Sequence, residues 1–308
     1  MTSPTQLPSA ARPRRDLPII DAHHHLWDHS VGRAATATTA TTATAAELAA
    51  WQGGGRQRVW LLHEVLADIQ ASGHNIVDTV FVQAGAFHRA SGPEELRPTG
   101  ESEFVQGVAA MCESGLYAPP ATVIGAAIVG TCDLRHSNVE AVLRAHMRSR
   151  NFRGIRMLRR INPPVPQEVA GGERDVALDR GFALLERFGL SFDCWQTSGE
   201  ERDYASVPRV TALARRYPGV TIILNHLGCP VGPAMSADEF AQWRVDLKEL
   251  AECCPNVVCK VGGIAMPVNG WGWERGARPV TSEEMCEATL PYYGHAIDCF
   301  GPERCMFE

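Results

Sequence analysis

Apolar residues along this chain gather in eight short runs, at residues 17–22, 78–83, 122–129, 152–157, 190–195, 220–225, 256–261 and 304–307. Between them lie stretches whose apolar positions recur at helical spacing, at 59–72, 101–114, 138–150, 179–188, 205–216, 237–253 and 282–300. The runs are rich in Val and Ile and do not alternate cleanly, which suits parallel strands covered on both faces. Strand and helix alternating over this length predict an α/β chain folded as a (β/α)8 TIM barrel. A doubly wound sheet is the rival topology. It opens with a Gly-rich phosphate loop after the first strand, where this chain has histidines instead.

Residues 1–16, rich in Pro, Ser, Thr and Arg, read as a disordered N-terminal tail, and 17–308 as the barrel. A low-complexity Ala/Thr tract at 34–46 interrupts the pattern after the first strand, and Gly53-Gly54-Gly55 reads as a linker. No helical stretch follows the eighth run, so the barrel is expected to be truncated after strand eight.

Composition narrows the function classes. Hydrophobic residues make up 45% and charged residues 21%, the balance of a globular domain with a sizeable core. A net charge of −6 argues against nucleic acid as a partner, because such binding needs a basic face. No run approaches the ~20 apolar residues of a membrane span. The N-terminus lacks the apolar core of a signal peptide, which points to a cytoplasmic protein. Ten cysteines without a C-x-x-C pair read as reduced thiols, several of them buried. A small molecule is the expected partner, and a homo-oligomer is left open.

The chemistry gathers at strand ends. His23 and His25 are two apart on the first strand and project to one face, while His24 points away. At the C-terminal end of a barrel strand that face looks into the mouth, where barrel enzymes keep their sites. Two imidazoles at that spacing can hold a divalent metal, with zinc favoured. His226 ends the sixth run in an equivalent place. Arg156, ending the fourth, can clamp a carboxylate or polarise a carbonyl. Lys260 sits inside a buried run, where a charge is either functional or paired with a neighbouring strand. His226, Arg156 and Lys260 are therefore the candidate catalytic residues. Gln83, Trp195 and Asn225 close strands two, five and six and are the candidate substrate-binding residues.

Ile20-Asp21-Ala22-His23-His24-His25-Leu26-Trp27-Asp28 resembles the opening of the amidohydrolase-related family, barrel hydrolases that include lactonases. Phe152-Arg153-Gly154-Ile155-Arg156, Asn225-His226-Leu227-Gly228 and the closing Phe300-Gly301-Pro302-Glu303-Arg304 segment match in order, over about 17–308. The resemblance implies hydrolysis of a small cyclic ester or related acyl substrate by attack of an activated water on a carbonyl. It implies either a bound zinc or a metal-independent scheme in which histidines and arginines polarise the carbonyl. Three departures stand out. Met157 replaces a histidine common in relatives, the segment after strand five lacks one, and the chain stops where a strand-eight acid should follow. The last leaves no evident base, so a decarboxylase or hydratase on the same barrel, or an impaired barrel that only binds a small molecule, are the alternatives.

Overall fold

The computed structural model describes residues 15–28, 59–119, 122–157, 176–195 and 206–308. Each of the eight apolar runs carries a strand: β1 (Pro18–His24), β2 (Asn75–Val82), β3 (Val123–Gly130), β4 (Phe152–Arg156), β5 (Ser191–Cys194), β6 (Ile222–Leu224), β7 (Val257–Val261) and β8 (Cys305–Phe307). They form one sheet in sequence order with every pair parallel. The result is a nearly closed barrel. β8 and β1 stand at the two ends of the strand order, and the exposed Ile20 and Phe307 lie on them.

The connecting helices are α1 (Leu62–Ser72), α2 (Thr99–Glu113), α3 (Val139–His146), α4 (Val176–Phe188), α5 (Ser206–Arg216), α6 (Ala237–Cys253) and α7 (Ser282–Phe300). Local chemistry fixes several of their ends. Ser236 with Glu239, and Thr281 with Glu284, form reciprocal capping boxes that satisfy the first N–H groups of α6 and α7. Gly73 ends α1 at φ 66°, the left-handed position that glycine takes without steric cost. The helices bury Val105, Val108, Leu143, Phe182, Leu185, Leu213, Leu247 and Leu250 in a core shared with Phe81, Ile128, Ile155, Phe192 and Ile222 of the strands. Burying each such side chain stabilises the fold by about 1.5–3 kcal/mol.

The structure differs from the sequence reading in two places. The pattern at 59–72 predicts one helix, but Val59–Trp60 pairs antiparallel with Trp27–Asp28, and α1 starts only at Leu62. Stacking of Trp27 on Trp60 accompanies this extra ladder. The pattern at 138–150 runs past the helix, which ends at His146, with hydrogen-bonded turns carrying the chain into β4. The tract at 34–46 and the Gly53-Gly54-Gly55 run lie outside the described residues. Among the described residues, no helix is long and apolar enough to cross a membrane.

Candidate active site

Seven of the eight strands deliver a polar side chain to one end of the barrel: His23 lies near the end of β1 and His25 follows it, Gln83 follows β2, and Arg156 ends β4. Asp193 lies in β5, His226 follows β6, Lys260 lies in β7, and Glu308 follows β8. His24 turns away, as its place in the strand predicts, to meet the Thr79 hydroxyl at 2.7 Å.

The hydrogen bonds assign the protons. His25 Nδ1 lies 2.7 Å from the Val82 carbonyl, which only accepts, so Nδ1 carries the hydrogen and Nε2 a lone pair. That lone pair faces His23 Nε2 at 3.3 Å. On its other side, His23 Nδ1 lies 2.8 Å from Glu308 Oε2 and 3.2 Å from Lys260 Nζ. Burial, and then the Lys260 charge, hold the pKa of His23 well below the usual range; burial and Arg156 do the same for His25.

A neutral His23 has one ring hydrogen to place. At Nδ1 it serves Glu308 and leaves two lone pairs facing each other at 3.3 Å. At Nε2 it serves His25 and leaves a lone pair against the carboxylate. Either way one pair of electron-rich atoms is left facing each other, with only the Lys260 and Arg156 cations beside the ring to offset it. Two imidazole nitrogens bound to one tetrahedral zinc stand about 3.3 Å apart. His23, His226 and Glu308 also offer donor atoms that all lie within 4.8 Å of one another. The donor set fits a divalent cation.

The surrounding charges are built to match. Arg156 is 3% exposed, and its Nη2 donates to the Gln83 carbonyl at 2.6 Å and to Gln83 Oε1 at 3.1 Å. Its guanidinium lies 5.0 Å above the Trp195 ring, and Nη1 reaches His23 Nε2 at 3.3 Å. Burial lowers its pKa to about 10, against the supporting charges of Asp193, Glu101 and Glu308, so it stays cationic. Lys260 pairs with Asp193 at 3.2 Å, and Asn225 Nδ2 donates to the same carboxylate oxygen at 3.0 Å. His226 Nδ1 donates to Glu308 Oε1, which leaves its Nε2 as the basic nitrogen.

The backbone around His226 is strained. His226, Leu227, Gly228 and Cys229 all have positive φ, and three of the four are not glycine. Such residues cost about 1–3 kcal/mol each and gather where geometry serves function. Trp243 Nε1 donates to the Leu227 carbonyl at 3.1 Å and helps to hold the turn. Two glycines after β7 leave the necessary room. A Cβ on Gly263 would lie 1.9 Å from His226 Nδ1, and one on Gly262 would lie 2.4 Å from Glu308 Cγ.

The amidohydrolase family model matches residues 20–308. The chain belongs to the amidohydrolase family. It is 31% identical over 296 residues, covering 95% of this chain and 84% of the relative, to the uncharacterized protein y4mH of Sinorhizobium fredii. It is 28% identical over 232 residues, 72% of this chain and 70% of the relative, to an L-fucono-1,5-lactonase of Burkholderia ambifaria. Among solved structures, an amidohydrolase from Burkholderia multivorans with bound zinc superposes with a TM-score of 0.62 at 24% identity, covering 94% of this chain and 83% of that one.

In this amidohydrolase the sequence-predicted residues His23, His25, His226, Arg156 and Lys260 form one connected group, with Gln83 and Trp195 around Arg156. Asn225 sits one layer back, holding Asp193. Lys260 is ion-paired, with Asp193 two strands away rather than with a residue of an adjacent strand, and it also lies 3.2 Å from His23 Nδ1. Met157, in place of the relatives' histidine, is buried in the core. One expectation is overturned: the chain does carry a carboxylate after strand eight, on Glu308. Two residues were missed by the sequence reading, Glu308 and Asp193. The sequence held no local signal for Glu308; the structure explains its place, since Phe307 is 74% exposed and the next side chain along the strand turns inward. For Asp193 the signal was a lone acid inside an apolar run.

These buried histidines set the acid stability of this amidohydrolase. Below an ordinary histidine pKa of 6.5 the unfolded chain takes up protons that folded His23, His24, His25 and His88 refuse. The unfolded state then binds more protons, so stability is lost as the pH falls. Glu101, raised by burial to about 7, works oppositely, but His146, lowered by burial to about 4, offsets it. A bound metal would act in the same sense as the histidines, because protons compete for its ligands. The thermal midpoint is therefore expected to drop steadily from pH 7 to pH 5 in a buffer series, and a rise over that window would contradict the assignment of neutral histidines.

Proposed function

We propose that this amidohydrolase is a lactonase, opening the internal ester of a sugar acid or a similar small cyclic ester. The observation that carries the reading is the His226–Glu308 pair set beside two buried cations, Arg156 and Lys260. Similarity to an L-fucono-1,5-lactonase supports the substrate class.

Arg156 and Lys260 oppose the negative charge that develops on the carbonyl oxygen when water adds to it. Fixed charges in a water-poor site stabilise such an oxyanion far more than they would in solution. The proton leaving the attacking water passes to the His226–Glu308 pair, with Glu308 orienting the ring and balancing the imidazolium. When the ring ester breaks, the pair returns that proton to the departing alkoxide, and the products are a hydroxy acid and the original enzyme. The Asp193–Asn225 contact holds Lys260 in place throughout. A divalent cation, zinc in our reading, would be held by His23 and His25 with His226 and Glu308 in reach, and would polarise the carbonyl and acidify the water.

The test is a panel of sugar-acid lactones followed by acid release, with elemental analysis of the same protein. We expect turnover of at least one lactone and close to one transition metal per chain. His23→Ala should lower both, the turnover by roughly 10²-fold. No turnover across the panel would contradict the lactonase reading, and full turnover by a metal-free protein would remove the cation from it.

A further inference from the structure

Glu101 stands outside this centre, at the start of α2, and is 1% exposed. Its Oε1 accepts the main-chain N–H of Ala84 at 3.0 Å and of Ala86 at 2.9 Å. Those residues immediately follow Gln83, whose carbonyl and side-chain oxygen together hold Arg156 Nη2. The N–H of Gln83 is itself tied to the Val129 carbonyl at 2.8 Å, so the residue has little play.

The same segment is gripped a second time. A Cβ on Gly100 would lie 2.6 Å from the Phe87 carbonyl oxygen and 2.9 Å from Arg89 N, so α2 begins in direct contact with it. Phe87 is held in the left-handed region at φ 54°, with its ring stacked on Phe104 of α2 at 3.8 Å. A buried carboxylate is a costly way to pin a loop, because its desolvation must be offset by the bonds it makes. Here the bonds lead along the chain to the guanidinium.

We infer that Glu101 is a positioning residue for Arg156: by fixing residues 84–86 it places the two oxygens of Gln83, and so sets the guanidinium over Trp195 and beside His23. Hydrogen-bond acceptance carries the positioning role, while the charge of Glu101 adds to the field at Arg156. Burial pushes the Glu101 carboxyl up to about 7, so it is partly protonated near neutrality, yet Oε1 accepts in either state. Glutamine offers the same acceptor and alanine offers none.

The kinetic arm of the test rests on the lactonase reading, and the spectroscopic arm does not. The near-ultraviolet circular dichroism of Trp195, isolated by subtracting the spectrum of Trp195→Phe, reports the Arg156 contact without any turnover. Glu101→Ala should change that band and lower kcat/KM by roughly 10²-fold, the size of loss a small misplacement can cause. Glu101→Gln should keep both, the activity within about threefold. The double variant Glu101→Ala/Arg156→Gln should be no slower than Arg156→Gln alone, because the two act through one contact. Where the alanine variant does not fold, Glu101→Asp, too short to reach both N–H groups, gives the same comparison. An unchanged Trp195 band in a folded variant, or losses that add in the double variant, would overturn the inference. If the unmodified protein opens no lactone, the reading of function fails and the Trp195 band alone decides this one.

Discussion

Replacing Glu308 with glutamine is expected to lower kcat/KM for lactone opening by roughly 10²–10⁴-fold, the range that a positioned acid–base group contributes. Glutamine keeps the length of the side chain and can still accept from His226 Nδ1. It cannot balance an imidazolium at His226, and its NH2 group would face Lys260 and His23 where a carboxylate oxygen now lies 2.8 Å from His23 Nδ1. The loss should fall mainly on kcat, since Arg156 and Lys260 still meet the substrate. Steady-state kinetics across the lactone panel decides it. Activity within about threefold of the unmodified enzyme would mean that the proton goes elsewhere, and would return Glu308 to a structural role.

The second large effect is on a residue with no chemistry of its own. Gly263→Ala places a methyl group 1.9 Å from His226 Nδ1 at a backbone φ of 70°. Neither demand can be met by a small adjustment, because His226 is held in a strained turn and β7 fixes the glycine from the other side. We expect destabilisation of about 3 kcal/mol or more and a loss of turnover of roughly 10²-fold, through displacement of His226 from Glu308. Gly294→Ala is the control. It lies within α7 with nothing inside 4 Å of the added carbon, and there alanine is the better helix former by about 1 kcal/mol. Thermal denaturation of the two variants should separate them in opposite directions, and equal midpoints would contradict the close approach of Gly263 to His226.

Much of this is legible in the amino-acid sequence. The eight strands could be read because buried parallel strands must be apolar on both faces, and the capping pairs Ser236/Glu239 and Thr281/Glu284 mark helix starts by chemistry that is local in sequence. The partnership of His23 and His25 follows from strand parity alone. What escaped was long-range. Glu308 meets His226 only because the barrel brings β8 and β6 to either side of β7, and no local pattern ranks one terminal glutamate above another. Asp193 draws its meaning from Lys260, two strands away in the sheet. The left-handed run at His226, Leu227 and Cys229 is invisible to turn rules, which look for glycine or asparagine. Trp27 and Trp60 pair across a long sequence gap for the same reason.

Lactone opening by this enzyme turns on one chemical event, the addition of water to a lactone carbonyl at the His226–Glu308 pair. Turnover of a single lactone in water labelled with heavy oxygen tests it directly, with mass analysis of the product acid. One heavy oxygen is expected in the carboxylate of the product, formed by the unmodified enzyme and lost in step with turnover in Glu308→Gln. Heavy oxygen on the released hydroxyl carbon instead, or an equal yield of labelled acid from Glu308→Gln, would contradict it.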